Sequence, residues 1–145
     1  MAGALGVNAD EIVLTRNATE AIHNLIRQYK GLQAGDKVLF ADLDYPSFKE
    51  VMGWLQGSRQ VSAVTLMIPP RTNQEHIYRR YLDAFDANPT RKLILLTRVS
   101  NQHGLVMPVA RIAVEARRRG IDVICDSAQS WGLLARTRVH MATAT

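Results

Sequence analysis

The chain has 145 residues, 47% of them hydrophobic, and a formal net charge of +5. This is enough apolar content for one domain with a core, and no apolar run approaches the ~20 residues that span a bilayer. The start Met1-Ala2-Gly3-Ala4-Leu5-Gly6 lacks the basic head and long apolar centre of a signal peptide, and a lone cysteine, Cys125, excludes a disulfide framework, so a soluble cytoplasmic protein is expected.

Taken in chain order, strand and helix patterns alternate. Glu11 to Thr15 is predicted as a short strand, and Ala18 to Tyr29 as a helix with Ala21, Ile22, Leu25 and Ile26 on one face. Gly31 and Gly35 punctuate the turn before a strand from Val38 to Ala41. A helix from about Ser47 to Leu55 and a strand from Val61 to Met67 follow, and Pro69-Pro70 breaks the chain. Gln74 to Phe85 is predicted as an amphipathic helix, Leu93 to Thr97 as a compact apolar strand, and Pro108 to Arg119 as a helix with proline in its first turn. After Gly120, the apolar run Ile121-Asp122-Val123-Ile124-Cys125 reads as a strand buried on both faces, with Asp126 at its C-terminal end. Five strands separated mostly by helices imply right-handed crossovers and a mainly parallel sheet in a three-layer α/β/α fold. No repeat, low-complexity segment or internal domain boundary interrupts the pattern.

The densest basic group, Arg117-Arg118-Arg119, falls on the last turn of a helix, where cations complement the helix dipole and face solvent. No aromatic interleaving, helix-turn-helix or RNP-like pattern accompanies it, so nucleic acid is not an expected partner. The glycines form neither Gly-x-Gly-x-x-Gly nor a Walker loop, and no Gly-x-Ser-x-Gly occurs. Cys125 is expected to be buried in a packing role, its thiolate disfavoured by Asp126 beside it. A non-catalytic α/β binding module with a basic surface is the alternative reading of the composition.

The segments after four of the predicted strands carry the chemistry, because ligands of open α/β sheets bind at the carboxyl edge. In Thr15-Arg16-Asn17-Ala18-Thr19-Glu20-Ala21, the first-turn N–H groups and the Thr19 hydroxyl suit an anion, while Asn17 and Glu20 also suit a capping box that needs no ligand. Tyr45, in Asp42-Leu43-Asp44-Tyr45-Pro46, offers a flat ring or simply covers a core edge. Arg98-Val99-Ser100-Asn101-Gln102-His103-Gly104 offers an amide at Asn101 and a loop histidine at His103. In Asp126-Ser127-Ala128-Gln129-Ser130-Trp131-Gly132, Asp126 is either aimed at a ligand or caps the next segment.

These segments, with Leu32-Gln33-Ala34-Gly35-Asp36-Lys37-Val38-Leu39, resemble the class V aminotransferases of pyridoxal phosphate fold type I, which include cysteine desulfurases and isopenicillin N epimerase-like enzymes. The resemblance runs over roughly residues 7 to 134, and the Thr-Arg-Asn-Ala-Thr-Glu-Ala start and Tyr45 in place of a histidine look closer to the epimerase-like branch. It implies pyridoxal 5′-phosphate as cofactor, an amino-acid or amine substrate undergoing transamination, epimerisation or desulfuration, and a homodimer. By the same resemblance, the Ala18 and Thr19 region holds the cofactor phosphate, Tyr45 stacks on the ring, Gln129 reaches the ring oxygen O3′, and Asn101 bonds O3′ or the substrate. Asp126 pairs with the protonated ring nitrogen, and no metal is implied. The family's Schiff-base lysine lies downstream of the Asp-x-x-Gln segment, whereas Lys30, Lys37, Lys49 and Lys92 all precede Asp126. Residues 1–134 are therefore expected to be a partial cofactor-binding domain without the catalytic lysine and inactive alone, and 135–145 an unrelated, frameshift-like tail.

Overall fold

In the computed structural model, which describes residues 8–134, helices and strands alternate after a short 3-10 turn at Ala9–Glu11. The order is α1 (Ala18–Gln28), β1 (Lys37–Ala41), α2 (Pro46–Arg59), β2 (Ser62–Leu66), α3 (Gln74–Ala87), β3 (Arg91–Thr97), α4 (Val109–Arg118) and β4 (Asp122–Asp126). The predicted elements recur within a few residues, except the strand at Glu11 to Thr15. That segment pairs with no strand among the described residues, and Val13 and Leu14 are exposed. Its alternation looks strand-like, but Ala9–Glu11 is instead drawn into a turn in which the Asn8 N–H donates to the Glu11 carboxylate at 2.7 Å. Four strands, not five, form the sheet described here. The tail at 135–145 lies outside the described residues.

Local chemistry sets the element boundaries. Asn17 and Asn73 cap α1 and α3 by accepting the N–H of Glu20 and His76, each at 2.8 Å, and Pro46 opens α2 where its missing N–H costs nothing. Gly120, at φ +67°, makes the left-handed step from α4 to β4 that a side chain would oppose.

All strands are parallel, in the order β2-β1-β3-β4. Successive side chains alternate between two cores. Leu39, Ala41, Ile94, Leu96 and Val123 pack against α3 and α4, while Val38, Phe40, Leu93, Leu95 and Ile124 pack against α1 and α2. This is the expected three-layer α/β/α architecture. On α1 the buried stripe is Ile22 and Ile26, and Leu25, expected beside them, is exposed.

The topology marks one place on the carboxyl edge. The chain leaves β1 toward α2 on one face of the sheet and leaves its neighbour β3 toward α4 on the other. Two exits diverging from adjacent strands open a crevice between them, the switch point where doubly wound sheets take their ligands.

Candidate functional site

The N-terminus of α1 is brought to this edge by its opposite end. Tyr29, just after α1, donates its hydroxyl to Asp122 at the start of β4. The contact of His23 in α1 with Ser47 at the start of α2 puts the N-terminal half of α1 on the carboxyl-edge side of the sheet. The cap uses the Glu20 N–H and leaves those of Ala18 and Thr19 to a ligand. The expected capping box is half formed: Glu20 reaches back to the Arg16 N–H at 3.0 Å rather than to Asn17. The Arg16 side chain at 3.2 Å also holds the Glu20 carboxyl below the usual carboxylate range.

One turn along α1, on the face that carries Thr19, the His23 ring nitrogen Nε2 lies 2.9 Å from the Ser47 hydroxyl and 3.0 Å from its carbonyl. Ser47 stands two residues after Tyr45. The Tyr45 ring packs at 5.1 Å on Phe48, which also meets the His23 ring edge-on at 6.5 Å. Tyr45 itself is 40% exposed, so its ring remains available for stacking. The first turns of α1 and the Tyr45 ring are thus linked through His23, Ser47 and Phe48.

Asp126, the last residue of β4, is 6% exposed and pairs in register with Thr97, the last residue of β3. Its Oδ1 accepts the Ala128 N–H at 2.9 Å, and burial pushes its pKa up. A desolvated carboxylate with a single backbone donor favours a cationic N–H ligand. Asp44, for which no role was assigned from sequence, is fully buried beside this pair. Its Oδ2 accepts the Ala41 N–H at 2.6 Å, and the Thr97 hydroxyl and the Asp126 charge act on its carboxyl. Burial, opposed by the Thr97 and Ala41 groups, pushes Asp44 up to about 7. The visible signal in the sequence was the Asp-Leu-Asp spacing after a buried strand.

Asn101 and Gln129 are exposed on the turns after β3 and β4, and neither side chain is held against Asp126. His103 lines a cleft of about 310 Å³ on the same edge, together with Asp42, Pro69, Pro70, Arg80 and Gln102. Cys125, expected to be buried, is half-buried, because its Sγ points to the turn and lies 3.7 Å from the Ser127 hydroxyl. The basic helix end is partly neutralised: Arg118 pairs with Glu115 at 3.2 Å, and Arg119 with Glu115 at 2.6 Å and with Asp86. No cluster of metal-ligating side chains exists among the described residues.

Comparison with known proteins identifies the family and the fold. A cysteine desulfurase of Dickeya dadantii (strain 3937) is 31% identical over 125 residues, covering 85% of this chain and 29% of that protein. An isopenicillin N epimerase of Amycolatopsis lactamdurans is 27% identical over 137 residues, covering 91% and 33%. The chain thus spans about a third of the length of these curated relatives. A solved structure of C-DES, a variant with glycine covalently linked to its PLP cofactor, superposes with a TM-score of 0.86 at 21% identity, covering 97% of this chain and 37% of that one. At that identity the likeness concerns the fold. The model of the family described as Aminotransferase class-V matches residues 1–136, and with the doubly wound sheet and its acidic strand edge this places the chain in the aminotransferase class-V family.

Proposed function

We propose that this carboxyl edge binds pyridoxal 5′-phosphate for chemistry on an amino-acid or amine substrate. The observation that carries the reading is Asp126, a buried carboxylate at a strand end, on the sheet edge toward which the capped N-terminus of α1 also lies. The donor set fits the group. Ala18, Thr19 and the α1 dipole suit a phosphate ester, Tyr45 a flat ring, and Asp126 a protonated ring nitrogen. When bound, the cofactor supplies an electron sink for carbanion chemistry on the substrate. In this reading Asp126 would hold the proton on the ring nitrogen, α1 would anchor the phosphate, and the exposed amides of Asn101 and Gln129 would reach the ring oxygen or the substrate. None of the four lysines occupies the position of the family's Schiff-base residue. Lys49, which nears the edge, donates to the Asp42 carbonyl at 2.6 Å, so no lysine of this chain is assigned a covalent role.

Titrating the full chain with pyridoxal 5′-phosphate, followed by quenching of exposed Trp131, tests this. Saturable binding that D126N weakens about tenfold, the worth of one charge-assisted contact, is expected. Absence of saturation, or D126N binding like the parent chain, overturns the proposal.

Homodimeric association is part of the same proposal. It is supported by exposed Val13 and Leu14 beside the α1 N-terminus, and sedimentation showing only monomer overturns that part.

A further inference from the structure

Three polar atoms are buried without a hydrogen-bond partner of good geometry around the switch-point crevice: Asp44 Oδ1, Thr97 Oγ1 and Tyr81 OH. They come from the turn after β1, the end of β3 and α3. Buried polar atoms without partners of good geometry are uncommon and costly, and two of these three, on Asp44 and Thr97, act on each other.

Asp44 is the hub. It is tied to Ala41 twice, through its own N–H to the Ala41 carbonyl at 3.1 Å and through Oδ2 from the Ala41 N–H at 2.6 Å. Those two bonds close the turn between β1 and α2 and set the direction in which the next residue, Tyr45, leaves the sheet. The other side of the carboxyl faces Thr97, which pairs in register with Asp126. The charged and titratable groups around it are Asp126 from β4, Lys49 from α2, Tyr81 from α3, and Cys125 and Asp42 from the strand ends. Four of these five groups are acids, so a second anion here would compete with Asp126 for any cation at the edge.

We infer that Asp44 is a positioning residue for ring recognition: it bridges the Tyr45 turn to the Thr97–Asp126 pair, fixing the spacing between the stacking ring and the carboxylate. The inference rests on the cofactor reading above and adds a residue which touches neither phosphate nor ring. It acts on the ring half of the site and leaves the phosphate half, built by α1, unaffected.

That split is measurable with two probes on the full chain at pH 6.5, pyridoxine 5′-phosphate and inorganic phosphate, and the ratio of their affinities is the readout. Asn at position 44 keeps the Ala41 contact and donates to Thr97, so D44N is expected to keep the ratio within about twofold. D44A and T97V are expected to lower it at least fivefold while phosphate affinity stays unchanged. A cooperative thermal melt confirms that each variant is folded, and T97V carries the test should D44A fail to fold. A folded D44A or T97V with an unchanged ratio overturns the inference, as does D44N falling as far as D44A, or phosphate affinity falling in step. A parent chain with a ratio near one overturns the cofactor reading itself, which is a distinguishable failure.

Discussion

Tyr29 donates its hydroxyl to Asp122, so the C-terminal end of α1 is tied to the amino edge of β4 and the helix cannot slide along the sheet without breaking that bond. Burial and the Asp122 carboxylate both push the Tyr29 hydroxyl above the usual tyrosine range, so it remains a donor throughout the working range of pH. Y29F is expected to lower stability by about 1–2 kcal/mol and to weaken phosphate binding at the distant N-terminus of α1 several-fold. A Cβ at Gly31 would collide with the Tyr29 ring and hydroxyl, so G31A is expected to reproduce the effect of Y29F. Thermal melts and phosphate titrations of both variants check the pair, and an unchanged phosphate affinity in Y29F would sink the lever argument.

The pH dependence of Asp44 has a definite sign. Its folded pKa, about 7, lies above its ordinary value of 3.8. The ionised form is therefore penalised in the folded state, and relative to D44N the parent chain loses stability as pH rises from about 4 to about 7, then stays level. At about 1.4 kcal/mol per pH unit that interval corresponds to roughly 4 kcal/mol. D44N is expected to unfold at higher denaturant than the parent chain at pH 8, with the gap shrinking toward pH 4. A gap independent of pH would show that Asp44 is not a desolvated acid.

His23 and Ser47 join α1 to the turn that carries Tyr45. Removing the hydroxyl in S47A is expected to cost about 1 kcal/mol and to reduce both phosphate and ring binding modestly, unlike D44A, which spares phosphate. Parallel titrations of the two variants separate a link between the half-sites from a residue serving one of them.

The Cys125 thiol is pushed up by burial, with the Asp126 charge adding to it and the Ser127 hydroxyl opposing. Less thiolate exists at neutral pH than for an unperturbed thiol, so alkylation by iodoacetamide is expected to run slower than for a free cysteine. Rapid labelling at pH 7 would show that the turn after β4 opens.

The alternation of strand and helix was legible because Leu93 to Thr97 and the run before Asp126 have too many consecutive apolar residues to face water on either side. The segment Glu11 to Thr15 misled for a physical reason: Ile12-Val13-Leu14 has strand propensity, but propensity needs a neighbour, and the sheet offers it none among the described residues. Thr19 was read as following a strand at Glu11 to Thr15 that the described residues do not form, whereas Asp126 and Tyr45 were readable as residues at or just after a strand end. Asp44 and Thr97 were not, because burial of a polar side chain depends on which face of the sheet each crossover takes, and an Asp three positions past a strand end looks the same whether solvated or enclosed. The same ignorance of loop packing hid the His23–Ser47 contact, which joins residues 24 positions apart.

Strand β4 pairs only with β3 among the described residues, and in a parallel strand alternate backbone amides point to opposite neighbours. Its amide protons should therefore fall into two interleaved classes, one locked against β3 and one unsheltered. Hydrogen–deuterium exchange along Asp122–Asp126 would read as every second position trading rapidly with solvent. Any strand that docks there, from this polypeptide or another, would announce itself by silencing those alternate positions.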